Sequence, residues 1–98
     1  MNPDSEEHRC LKVLVSGHVQ GVCFRHYTRL KANELGISGW VKNLPGGHVE
    51  ALICGTSAQL DAMLAWLAHG PDNAQVSKCT AKVFTGPTSS EGFRISYQ

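Results

Sequence analysis

From Cys10 to Gly17 apolar and polar positions keep a period of two: Leu11, Val13 and Val15 fall on one side, Lys12, Leu14 and Ser16 on the other. That is the period of a strand, whose successive side chains point to opposite faces. Gly17 to Gly21 breaks the pattern. From Phe24 to Leu35 the period becomes helical, gathering Phe24, Tyr27, Thr28, Ala32 and Leu35 on one side with Lys31 inside the stripe. Gly36 stands where a helix C-terminus favours a left-handed residue. Ser38 to Leu44 predicts a second strand, Pro45-Gly46-Gly47 a hairpin turn, and His48 to Gly55 a third strand in which Val49, Ala51 and Ile53 alternate. Thr56 to His69 predicts a second helix. Thr56 and Gln59 form a capping box, Leu60, Met63, Leu64 and Leu67 recur at helical spacing, and Gly70-Pro71 stops the run. Residues 76 to 84 predict a fourth strand, and Phe93, Ile95 and Tyr97 a short terminal one.

Strand, helix, strand, strand, helix, strand is the split βαβ order of an α+β, ferredoxin-like sandwich. The expectation is an antiparallel sheet with two helices on one face and a short extra C-terminal strand. Right-handed crossovers put strands one and two parallel, with strand three between them and antiparallel to both. If Cys10 stands opposite Cys54, then Leu11, Val13 and Val15 face Ile53, Ala51 and Val49, and all six fall on one face. A slip of one residue would turn half of them to solvent. The same register sets Cys10 beside Cys54 on the other face, within reach of a disulfide in an oxidising setting; a reducing cytoplasm favours two free thiols.

The chain has 98 residues, enough for one domain, expected over 10 to 98 behind a flexible polar tail, 1 to 9. Hydrophobic residues make up 42% and charged ones 17%, too apolar a balance for disorder. The net charge of +1 is too weak a field for nonspecific nucleic-acid binding, yet it allows one local cationic pocket. No apolar run is long enough to span a membrane, and the polar opening lacks a secretory signal core. The expectation is a cytoplasmic monomer with neither a nucleic-acid nor a membrane partner. The four cysteines form no Cys-x-x-Cys pair and the five histidines show no zinc spacing, so no metal and no cofactor are expected.

Chemistry concentrates in Gly17-His18-Val19-Gln20-Gly21-Val22-Cys23-Phe24-Arg25, between the first strand and the first helix. Glycines there let successive N–H groups point inward as a nest for an anion, and the helix N-terminus adds unpaired donors. Arg25, in the first helical turn, can offer its planar fork to two phosphate oxygens. By itself Gly-x-x-x-Gly describes a turn as readily as a site, and it is not the Walker phosphate loop, which requires a Gly-Lys-Ser/Thr that is missing here.

Gly17 to Arg25 resembles the first signature of the acylphosphatase family, Gly-x-Val-Gln-Gly-Val-x-Phe-Arg, at every fixed position. Gly39-Trp40-Val41-Lys42-Asn43 resembles its second signature. The interval, the glycine-rich hairpin and the Gly-Phe-Arg-Ile ending also fit, so the similarity spans residues 10 to 98. The resemblance implies metal-free hydrolysis of an acyl phosphate, a carboxyl–phosphate anhydride, to a carboxylate and inorganic phosphate. Arg25 would bind the phosphoryl group beside the amides of His18, Val19, Gln20, Gly21, Val22, Cys23 and Phe24. Asn43 would orient the attacking water, since a carboxamide holds a water well and accepts a proton poorly.

Two other readings use the same residues. Cys23 and Arg29 have the spacing of phosphatases that form a cysteinyl-phosphate, but the interval is helical in pattern where those enzymes need an amide-lined loop. An RNA-recognition module shares the element order, but it stacks bases on aromatics in its two central strands, and residues 11 to 17 and 48 to 55 contain none.

Overall fold

The computed structural model describes residues 8–88 and 91–97. Among them run β1 (Arg9–His18), α1 (Phe24–Leu35), β2 (Ser38–Asn43), β3 (Val49–Gly55), α2 (Ser57–Leu67), β4 (Gln75–Phe84) and β5 (Phe93–Ile95). Most of the expected tail lies outside the described residues, and Arg9, assigned to it, is the first residue of β1, paired with Gly55. The sheet order is β4-β1-β3-β2-β5. β3 lies between β1 and β2 and is antiparallel to both, so those two strands end at the same edge of the sheet. The expected register holds, with Cys10 opposite Cys54 and Val13 opposite Ala51. One pairing departs from the antiparallel expectation: β5 runs parallel to β2, which makes the sheet mixed.

Period two decides the faces. Val13, Val15, Val41, Val49, Ala51 and Ile53 are buried beneath the helices. From α2, Leu60, Met63 and Leu67 meet them, and from α1, Phe24, Thr28 and Ala32. Tyr27, assigned above to the buried stripe, is 44% exposed. Spacing of four selects 24, 28 and 32, and Tyr27 falls one step off that line. Thr28 is wholly buried and meets its polar need by donating its hydroxyl to the Phe24 carbonyl at 2.7 Å.

Neighbouring residues cap the end of α1 and the start of α2. Gly36, at φ +79°, caps α1, and its N–H donates to the Ala32 and Asn33 carbonyls. At the start of α2 the capping box is complete: the Gln59 amide N–H donates to Thr56 Oγ1 at 3.3 Å, and the Thr56 N–H donates to Gln59 Oε1 at 2.8 Å. The other end of that carboxamide donates to the Leu35 carbonyl at 2.9 Å, fastening the start of α2 to the end of α1.

On the face away from the helices Cys10 and Cys54 are joined by a disulfide, so the free-thiol expectation is corrected. The register left the sulfurs side by side, and nothing else stands between them. A bridge spanning 44 residues restricts the unfolded chain. Such bridges add about 2–4 kcal/mol. Reduction is expected to lower the melting temperature by roughly 10 °C or more for a domain of this size. Intact mass after alkylation checks the bond: two modified thiols, Cys23 and Cys79, before reductant and four after it.

Candidate active site

β1 reaches the end of the sheet at a bulge between Ser16 and Gly17. Gly17 sits at φ +124°, and a Cβ there would run into the backbone of Gln75 and Ser77 in the neighbouring β4. Only glycine lets the strand keep that partner while turning into the loop. The loop then anchors itself with apolar side chains: Val19, Val22 and Phe24 are buried. With those pointing in, the backbone between them is left facing out. Gly21 at φ +76° and Cys23 at φ +60° flank Val22, whose φ is negative, and this alternation of hand turns neighbouring N–H groups toward one centre. Residues 19 to 23 donate no backbone hydrogen bond to a carbonyl among the described residues. Cys23 is the N-cap of α1 without a side-chain capping bond, so the first helical amides are open as well.

Phe24 packs on Trp66 with ring centroids 5.8 Å apart, which fixes the first residue of α1 and therefore the origin of the Arg25 side chain. Arg25 has no carboxylate partner among the described residues, where the ion pairs are Lys31–Glu34 and Lys42–Glu50. Its guanidinium instead lies 5.0 Å from the centre of the Tyr97 ring. At so exposed a ring this contact is worth about 0.5–1 kcal/mol, enough to orient the fork and too little to neutralise it.

Asn43, the last residue of β2, comes to the same place from the other side. It shares the helix-facing side of its strand with Val41, while Lys42 points away and pairs with Glu50 at 3.9 Å, as alternation requires. Asn43 Oδ1 is buried and accepts no hydrogen bond. Asn43 lines a cleft of about 480 Å³ together with residues of the loop.

Six of the eight expected phosphate-binding residues line that cleft: Val19, Gln20, Gly21, Cys23, Phe24 and Arg25, with Asn43 facing them. The other two do not. His18 ends β1, paired with Gln75, and Val22 is turned into the core. Sequence reasoning missed Arg29, Ile95 and Tyr97 as lining residues. Arg29 was legible, because it follows Arg25 by one helical turn and so shares its face. Ile95 and Tyr97 were not, since β5 brings them in through a parallel pairing with β2 that no local pattern announces. Among the described residues no carboxylate lines the cleft, and Arg25 and Arg29 bring positive charge to it. A second depression, about 550 Å³ around Tyr27, Leu30 and Trp66, is lined by the Lys31–Glu34 pair and Asp72, and among the described residues no unpaired buried group lines it.

With this geometry in place, comparison with known proteins is decisive. Residues 11–95 match the profile of the acylphosphatase family. The chain belongs to that family. An acylphosphatase of Acaryochloris marina is 52% identical over 69 residues, covering 70% of this chain and 74% of that protein. One from Paraburkholderia xenovorans is 47% identical over 83 residues, covering 84% and 86%. Among solved acylphosphatase structures, that from Coxiella burnetii superposes with a TM-score of 0.85 at 40% identity, covering 91% of this chain and 93% of that one. The Bacillus subtilis acylphosphatase superposes with a TM-score of 0.86 at 27% identity, covering 93% and 100%. Residues of the Gly17–Arg25 motif and Asn43, the last residue of the Gly39–Asn43 motif, thus line one cleft. Among the described residues no helix is long and apolar enough to cross a membrane.

Proposed function

We propose that this acylphosphatase hydrolyses the carboxyl–phosphate bond of small acyl phosphates at the cleft between the loop of residues 18 to 24 and Asn43, releasing a carboxylate and inorganic phosphate. The observation that carries the reading is that Arg25, which has no carboxylate partner among the described residues, a row of open amides and Asn43 line one cleft. Arg25 and the amides hold the phosphoryl oxygens and stabilise the charge that shifts onto them as the bond to the carboxylate breaks. The Asn43 carboxamide holds the water and turns the water's lone pair toward phosphorus. An acyl phosphate is already activated and its carboxylate leaves readily, so the chain supplies position and field, with a phosphate oxygen taking the proton of the water. Arg29 adds positive charge one turn along α1 and draws the dianion in.

The direct test is phosphate release from acetyl phosphate and from a phosphate monoester, both in chelator. Turnover of the acyl phosphate alone is the expected result; equal turnover of the monoester would point to a general phosphatase. The cysteinyl-phosphate reading makes a separate prediction. Because α1 begins at Phe24, the residues between Cys23 and Arg29 are helical and enclose no loop. Cys23→Ser should therefore keep turnover within about threefold, whereas loss of a nucleophile costs orders of magnitude.

We read the chain as a cytoplasmic monomer without a nucleic-acid partner, the last supported by its low net charge. In a reducing compartment the Cys10–Cys54 bond closes only when the protein meets an oxidant. Sedimentation at micromolar concentration tests the monomer.

A further inference from the structure

We propose that the side chain of Gln20 is a positioning residue for the reaction: it ties the anion loop to the β2–β3 hairpin and so sets where Asn43 stands relative to Arg25. Its Nε2 donates to the Leu44 carbonyl at 2.9 Å and to the His48 carbonyl at 2.8 Å. Those two residues bracket the turn, and the Leu44 N–H donates to the same His48 carbonyl at 2.8 Å. Both hydrogens of one amide are thus spent on the two carbonyls that close the hairpin. Leu44 follows Asn43 directly, so the clamp acts one peptide bond from the carboxamide.

The site needs such a tie because of how it is built. The loop keeps its amides free for the anion, and no backbone hydrogen bond joins residues 19–23 to residues 43–48. Among the described residues the Gln20 carboxamide is the hydrogen-bonded link between the wall that holds phosphate and the wall that aims water. A misplacement of about 1 Å between reacting groups can cost on the order of 10²-fold in rate. A neutral amide suits the post: its two donors lie in one plane, and it adds no charge beside Arg25. Glutamate has the same shape but would set oxygen against both carbonyls.

The proposal rests on the roles given above to Arg25 and Asn43, and a double-mutant cycle separates the two layers. The measurements are kcat on acetyl phosphate, Ki for inorganic phosphate and the melting temperature, for Gln20→Met, Gln20→Glu, Asn43→Ala and Gln20→Met with Asn43→Ala. Gln20→Met fills the same space without a donor. It is expected to lower kcat by roughly tenfold or more while Ki stays within about threefold, and Gln20→Glu should be at least as slow. If Gln20 acts through Asn43, adding Gln20→Met to Asn43→Ala should slow it by no more than about threefold. Losses that multiply in the double mutant, a Ki that rises in step with the fall in kcat, or a Gln20→Glu enzyme at wild-type speed would each overturn the tie. Wild-type turnover by Asn43→Ala would instead remove the reading beneath it, and the proposal with it. Should Gln20→Met fail to melt cooperatively, Gln20→Glu carries the same comparison.

Discussion

Arg25→Ala is expected to lower kcat/KM by about 10²–10³-fold, the measured cost of losing one donor to a developing oxyanion. The size follows from the surroundings. Tyr97 orients the guanidinium without neutralising it, and among the described residues no carboxylate of the cleft competes for it. On the proposed reading its hydrogen bonds are left for the substrate, where they strengthen as charge moves onto the phosphoryl oxygens. Inhibition by phosphate should weaken alongside turnover, because the product carries the same oxygens. Arg25→Lys should fall between the two proteins: it keeps the charge and loses the fork. Steady-state kinetics with phosphate as inhibitor reads all three. An alanine variant within a few-fold of wild type would show that the amides alone carry the anion.

Asn43→Ala is expected to lose kcat by about 10²–10³-fold through misplacement of the attacking water, while phosphate binds within about threefold of wild type. Stability should change little, because Asn43 Oδ1 makes no hydrogen bond within the described residues that the substitution would break. A residue whose work was to end β2 and enter the turn would behave oppositely, with lower melting and unaltered chemistry. If phosphate affinity fell as far as kcat, Asn43 would be a ligand of the anion and not a holder of water. Kinetics, phosphate inhibition and a thermal melt on one variant separate these outcomes.

On the proposed reading the two variants divide the cleft into a wall that binds and a wall that attacks. The Gln20 carboxamide, bonded to the Leu44 and His48 carbonyls, joins them. Its loss should resemble a mild Asn43 defect and leave the binding of phosphate largely alone.

The chain by itself determined whatever depends on near neighbours. Alternation along 11 to 15 and 49 to 53 settled the faces and with them the register, since any slip would have put valines in water. The capping box at Thr56 and the stop at Gly36 marked helix ends from a few residues each. Arg25 and Asn43 were legible because their signatures are contiguous, and parallel strands one and two required both at one edge of the sheet. Tertiary structure decided what lies many residues apart. It closed Cys10 on Cys54, laid Tyr97 on Arg25, and carried the Gln20 amide to carbonyls 24 and 28 residues away. It also left Asn43 Oδ1 without a partner, and no string of letters shows an unmet bond. Periodicity tells a side chain which way to face; only the assembled walls tell it what it meets there.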